Sequence, residues 1–195
     1  MERAEHAIKS GYKTAIDNAT AILATLDPQA VCARTGAIWS DGEYMIPWFG
    51  ENRPLSSGGD AEQILWLHYL ISEGTGLPTS RLVAYRELKG AGFYEPAFNA
   101  RAVRPLVKRF GSNPSALLEA GKVLGGTPSD VGDFSVTLYP LPYVPVTYAV
   151  WTGDDELPPG GNVLFDETAS GWLHAEDLVV LASLGSYALI KEGKS

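Results

Sequence analysis

Apolar side chains at Ile8, Tyr12, Ala15, Ile16, Ala19, Ile22, Leu23 and Leu26 recur at steps of three and four residues. That spacing gathers them on one stripe and predicts an amphipathic helix over residues 3–26, closed by Asp27-Pro28. A short helical turn over Gln29 to Arg34 follows. The stretch "GAIWSDGEYMIPWFG" reads as a hairpin around Asp41-Gly42, and "ENRPLSSGGD" as a loop with one short extended piece. "DAEQILWLHYLISEG" carries the clearest helical pattern. Asp60 stands at its N-cap, Gln63 at the capping-box position, and Gly74 and Gly76 stop it.

"SRLVAYREL" reads as a strand. "EPAFNARAVRPLVKRFG" returns to helical spacing, with a kink or break at Pro105. "SNPSALLEAGKVLGG" is a short helix with Asn113 as N-cap, Pro114 at the first helical position and Gly125 past its end. From Asp133 the period falls to two. Phe134, Val136 and Leu138 share one face, and Val144, Val146, Tyr148 and Val150 share another. Pro140, Pro142 and Pro145 suggest an edge or interrupted strand there. Val163 to Phe165 is a third short strand, and "HAEDLVVLASLGSYALI" closes the chain as a helix. No repeat or linker interrupts these elements. The expected architecture is a single α+β domain over 1–195, with a mainly antiparallel sheet and the N-terminal helix packed on the remainder. A mixed sheet in an α/β layout is the alternative.

Composition narrows the function classes. At 195 residues the chain is long enough for a substantial core, and 45% hydrophobic with 19% charged residues is a globular balance. A net charge of −8 argues against a general nucleic-acid binder. The lone Cys32 excludes an internal disulfide or a cysteine-rich metal site, so a reducing cytoplasm is the simplest home. The N-terminus lacks the apolar core of a signal peptide, and no stretch reaches the roughly 18 apolar residues of a membrane span.

Three features carry candidate chemistry. Between Arg81 and Arg109 lie seven basic side chains (Arg81, Arg86, Lys89, Arg101, Arg104, Lys108 and Arg109) and two acidic ones, Glu87 and Glu95. This segment is therefore +5, leaving −13 to the rest of a chain whose total is −8. Arg101, Arg104 and Lys108 share one helical face, and guanidinium forks suit carboxylate and phosphate; an ordinary solvated face is the plain alternative. His68 stands on an apolar helical stripe with Ile64 and Ile71. It reads either as a core histidine or as an axial ligand to a haem or corrinoid metal. The run Gly153-Asp154-Asp155-Glu156 offers clustered carboxylates, but its spacing matches no calcium loop, and Asp beside Gly is a common turn former. His6 and His174 have no companions at metal-ligand spacing, and His174 fits a helix start. No G-x-S-x-G, P-loop, H-E-x-x-H or C-x-x-C is present.

"ILWLHYL", "YRELKGAGFYEPAF", "VPVTYAVWTGDDELPPGGNVLFD" and "AEDLVVLASLGSYAL", in this order, resemble the domain of unknown function 3786 family over about Ile64 to Ile190. The run from Trp151 to Pro159, with the Leu-Phe-Asp that follows, is the most specific part. The family occurs mainly in anaerobic bacteria and archaea. Some of its members are joined to iron–sulfur segments or sit near corrinoid and one-carbon enzymes. The resemblance thus implies an accessory role with a cofactor, although this chain lacks the cysteines for a cluster.

The leading expectation is a cytosolic binding or accessory protein for an anionic cofactor or metabolite of tetrapyrrole or corrinoid type. Arg86, Arg101 and Arg104 would meet its acidic groups, and Trp66, Tyr85, Phe93, Tyr94 and Phe98 its apolar part, with His68 as axial ligand. Nucleic-acid and membrane partners are not expected. The alternatives are an enzyme using Asp154, Glu156 and Asp166 for a metal or for acid–base work, and a protein-interaction module using Trp39, Trp48 and Phe49.

Overall fold

A computed structural model describes residues 2–74 and 76–193, with side chains from Gly11 onward. Helix α1 (Glu2–Leu23) ends in a turn where the Thr25 hydroxyl donates to the Ile22 carbonyl. Asp27 then caps α2 (Pro28–Thr35). Its carboxylate accepts the Ala30 N–H at 3.0 Å, and Pro28 takes the first turn, where a missing N–H costs nothing. Strands β1 (Ile38–Ser40), β2 (Glu43–Trp48) and β3 (Glu51–Pro54) form an antiparallel meander. Asp41 and Gly42, both with positive φ, make the expected turn, while the short extended piece proves to be the third strand.

Helix α3 (Asp60–Ile71) begins one residue earlier than its sequence suggests. Gly59 is the N-cap, and Glu62, not Gln63, closes the box by accepting the Gly59 N–H at 3.0 Å. Gln63 instead donates to the Ser56 carbonyl. The predicted strand "SRLVAYREL" survives only as β4 (Leu82–Ala84). Glu87 reaches back to accept the Ala84 N–H at 2.7 Å, which curls Tyr85–Glu87 into a 3-10 turn. The Tyr85 hydroxyl anchors that turn on the Ala175 carbonyl at 2.9 Å.

The long helical run divides into α4 (Glu95–Phe98), a π turn (Asn99–Val103) and α5 (Arg104–Phe110). Pro105 lacks an N–H, and its ring would crowd the carbonyl four residues back. The widened turn, with the Arg104 N–H on the Asn99 carbonyl, relieves that crowding. Helix α6 (Ser115–Val123) follows.

The second sheet adds β5 (Thr127–Pro128), β6 (Phe134–Leu141), β7 (Val144–Trp151) and β8 (Gly160–Asp166). Its order is β4-β8-β7-β6-β5, antiparallel throughout. The prolines do not mark an edge, because β7 is central and buried except at Trp151. They cluster at the β6–β7 hairpin end. Pro145 precedes the first β8 pairing, Val146 with Phe165, so no ladder bond is lost. Helix α7 (Ala175–Glu192) packs across β7, where the Tyr148 hydroxyl donates to the Ala182 carbonyl at 3.2 Å. Helix α1 lies along α3, and both sheets feed one apolar core, an α+β fold.

Candidate functional site

The most developed site lies where the last turn of α3 meets the first turn of α7. His68 projects from the α3 stripe, and its Nδ1 stands 2.8 Å from Asp177 Oδ1. A carboxylate only accepts, so Nδ1 carries the proton and donates, leaving Nε2 as the chemically free nitrogen. The His68 side chain is 33% exposed and that of Asp177 11%, so the imidazole is reachable while its anchor is largely sheltered. The Asp177 hydrogen bond raises the His68 pKa above the ordinary imidazole value, outweighing the opposing effect of burial.

Around this pair is a cleft of about 520 Å³, walled by Ile22 from α1, Ile71 and Glu73 at the end of α3, and Trp172 and His174 before α7. Trp172 is rigidly held. Its Nε1 donates to the Gly76 carbonyl at 3.1 Å, and its ring packs on Tyr69 and Tyr143 with centroids 5.2 and 5.0 Å away. A second cavity of about 300 Å³ shares His68 and Asp177 and extends to Tyr12 and Ala15 of α1. A third, about 500 Å³, adjoins the cleft through Ser170, Leu173 and His174 and reaches Lys89 and Tyr94. His174 is the α7 N-cap but makes no side-chain cap. Because His174 lines both the cleft and the adjoining cavity, the positive dipole end of that helix lies beside this region, moderated by Glu176 and Asp177 in the first turn.

The residues singled out in sequence are divided among several places. His68 and Tyr94 line adjoining cavities, and the Tyr94 hydroxyl donates to Glu176 at 3.3 Å. Arg86 and Phe98 instead share a separate cavity of about 260 Å³ with Tyr85, Glu95, Asn99 and Asn162. Arg101 and Arg104 are exposed on the π turn and α5. Trp66 is a core residue, fully buried edge-on to Trp48 with the Arg53 guanidinium 5.2 Å from its ring. Trp48, expected as an exposed aromatic, is itself buried. Phe93 is 86% exposed and lines none of these cavities. The His6 side chain lies outside the described residues.

The carboxylates of the β7–β8 region shape the backbone. Asp154 Oδ1 accepts the N–H groups of Glu156 and Leu157 at 2.9 and 2.8 Å, bonds that hold its pKa below the ordinary carboxylate value. Asp166 is fully buried. Burial pushes its pKa up, but the Thr168 hydroxyl and N–H and the Ser80 N–H, bonding at 2.7, 3.0 and 2.7 Å, outweigh it and keep the group acidic. Asp154 and Asp166 flank opposite ends of the seven-residue β8, roughly 20 Å of extended chain, so they do not converge. Asp154→Asn should accordingly lower the melting temperature slightly, and magnesium or calcium should leave that of the wild type unchanged. A saturable, ion-dependent rise lost in the variant would assign the loop to a metal instead.

Among the described residues, no group of three or more His, Cys, Asp or Glu side chains is arranged to hold a metal, and no helix is long and apolar enough to cross a membrane. Sequence reasoning misses Asp177 and His174 as companions of His68. Asp177 is 109 residues away from it, and both read locally as the start of a helix.

No curated protein and no solved structure matches the chain. A family model, described as Domain of unknown function (DUF3786), matches residues 27–188, most of the sequence and the site residues from α3 onward, including His68, Trp172, His174 and Asp177. The chain therefore belongs to the DUF3786 family.

Proposed function

We propose that the protein is a cytoplasmic binding or accessory protein for an anionic cofactor or metabolite, seated in the α3–α7 cleft with its polar or metal centre at His68. The observation that carries this reading is the partly exposed imidazole of a cleft-lining residue, backed by a sheltered carboxylate at 2.8 Å. A histidine that coordinates a metal commonly donates its second ring N–H to a carboxylate in this way, which fixes the tautomer and strengthens Nε2 as a donor. Trp172, Ile22 and Ile71 suit an apolar, planar body. His174, Lys89 and the α7 N-terminus suit acidic substituents.

A metal-bearing tetrapyrrole or corrinoid combines these properties, and the donor set would fit it to the extent of one imidazole nitrogen, that of His68, which would hold the metal. Such a group would supply the metal chemistry; the chain would bind it, orient it and exclude water from one side. The enzyme reading based on Asp154, Glu156 and Asp166 has less support, because Asp154 and Asp166 are engaged in backbone turns at opposite ends of β8. The interaction-module reading keeps Trp39 but loses Trp48 to the core.

Absorbance titrations with hemin and with aquocobalamin test the ligand class. A saturable one-to-one spectral change with either supports it. No change with either removes tetrapyrroles and corrinoids from the proposal.

A further inference from the structure

We propose that the separate cavity beside β8 is a binding site for a small zwitterion of the α-amino acid type, independent of the α3–α7 cleft. Its origin is the early end of β4. That strand covers only Leu164 to Asp166, and the chain then curls away at Tyr85. The β8 residues Gly160 to Val163 therefore have no strand partner on that side. Ladder parity identifies the groups that face that side. The Val163 N–H is taken by its neighbour's Asn162 Oδ1 at 2.9 Å rather than by β7, so alternate residues, Gly161 among them, direct their backbone N–H and C=O outward. A side chain at Gly161 would press on the Val107 methyl of α5 and the Ala149 carbonyl, so only glycine lets β8 and α5 pack this closely beside the cavity.

Polar side chains of opposite sign converge on this edge. Arg86 follows β4, Glu95 opens α4, Asn99 opens the π turn and Asn162 stands on β8. Among the described residues neither Arg86 nor Glu95 makes an ion pair, although they line the same cavity of about 260 Å³. Asn162 uses its oxygen on the backbone and keeps its amide N–H groups for another acceptor. The floor is the stacked pair Tyr85–Phe98, centroids 4.2 Å apart. A guanidinium, a carboxylate and two side-chain amides lining one small cavity offer partners to a carboxylate and an ammonium held a few bonds apart. The volume limits the occupant to a small molecule.

Calorimetric titration of the full chain with glycine, L-alanine and L-serine tests the assignment, with acetate and ethylamine as single-pole controls. At least one amino acid should bind saturably, and both controls at least about tenfold more weakly, the worth of one charged contact. Arg86→Gln and Glu95→Gln should each weaken amino-acid binding by a similar factor, while His68→Ala leaves it unchanged. No binding by any amino acid at millimolar concentration, acetate binding as well as glycine, or insensitivity to both cavity variants would each overturn the proposal. Loss of binding in His68→Ala would overturn it too, by moving the ligand to the other cleft.

Discussion

Gly185→Ala should lower the melting temperature by roughly 5–10 °C, taking about 2–4 °C per kcal/mol for a chain of this size. Helix α7 crosses β7 at this glycine, and a methyl group there would collide with the Tyr148 hydroxyl. Tyr148 is fully buried, and its hydroxyl already donates to the Ala182 carbonyl one turn earlier on α7. The ring cannot retreat without giving up that bond or displacing core neighbours. Overpacking costs about 1–3 kcal/mol, and stranding a buried hydroxyl about 1–3 kcal/mol more. The better helix propensity of alanine offsets about 1 kcal/mol. Thermal denaturation followed by circular dichroism reads the difference. Adding Tyr148→Phe should recover part of the loss, because it removes the clashing oxygen. A single variant as stable as wild type would mean that α7 does not pack on β7 at this distance.

Asp177→Asn should change both the pH dependence and the strength of ligand binding. In the wild type the Asp177 hydrogen bond raises the His68 pKa. A raised folded-state pKa stabilises the protein fully below the unfolded value and loses that contribution as pH rises through the folded value. The stability gap between wild type and Asp177→Asn should therefore be largest in mildly acidic solution, below the unfolded value of His68, and should narrow as pH rises through its folded value. Coordination has the opposite sign, because Nε2 must give up its proton to bind a metal. Affinity for a coordinating ligand should fall about tenfold per pH unit below the His68 pKa. The variant keeps a hydrogen-bond acceptor but loses the charge. Its His68 should titrate lower, toward the ordinary 6.5, and ligand affinity above both pKa values should drop about 10–100-fold. Titration of the imidazole by nuclear magnetic resonance and parallel binding curves measure both effects. An unchanged His68 pKa in the variant would mean that the pair does not persist in solution.

The long elements were legible because their periodicity is strong. The stripes of α1, α3 and α7, the Asp41-Gly42 turn and the period-two segments from Phe134 onward all led to an α+β chain with antiparallel sheets. The differences arise where one side chain redirects the backbone. Glu62 shifts the α3 cap by a residue, Glu87 cuts β4 short, and Pro105 is accommodated by a π turn. None of these has a periodic signature. The site was half legible. His68 stood out as the polar member of an apolar stripe, but its meaning depends on Asp177, which the topology alone brings to 2.8 Å. The basic segment was conspicuous in composition and yet is distributed in space, with Arg86 in a cavity beside β8 and Arg101 and Arg104 exposed.

Whether the α3–α7 cleft holds a ligand can be measured without choosing that ligand in advance. Wild-type protein and His68→Ala, each purified under native conditions from the original host, should be compared by absorbance and native mass spectrometry after circular dichroism has shown both to be folded. The expected result is a small molecule retained by the wild type and absent from the variant. A wild type that carries nothing, or a molecule retained equally by both, would contradict the assignment of the α3–α7 cleft as the binding site.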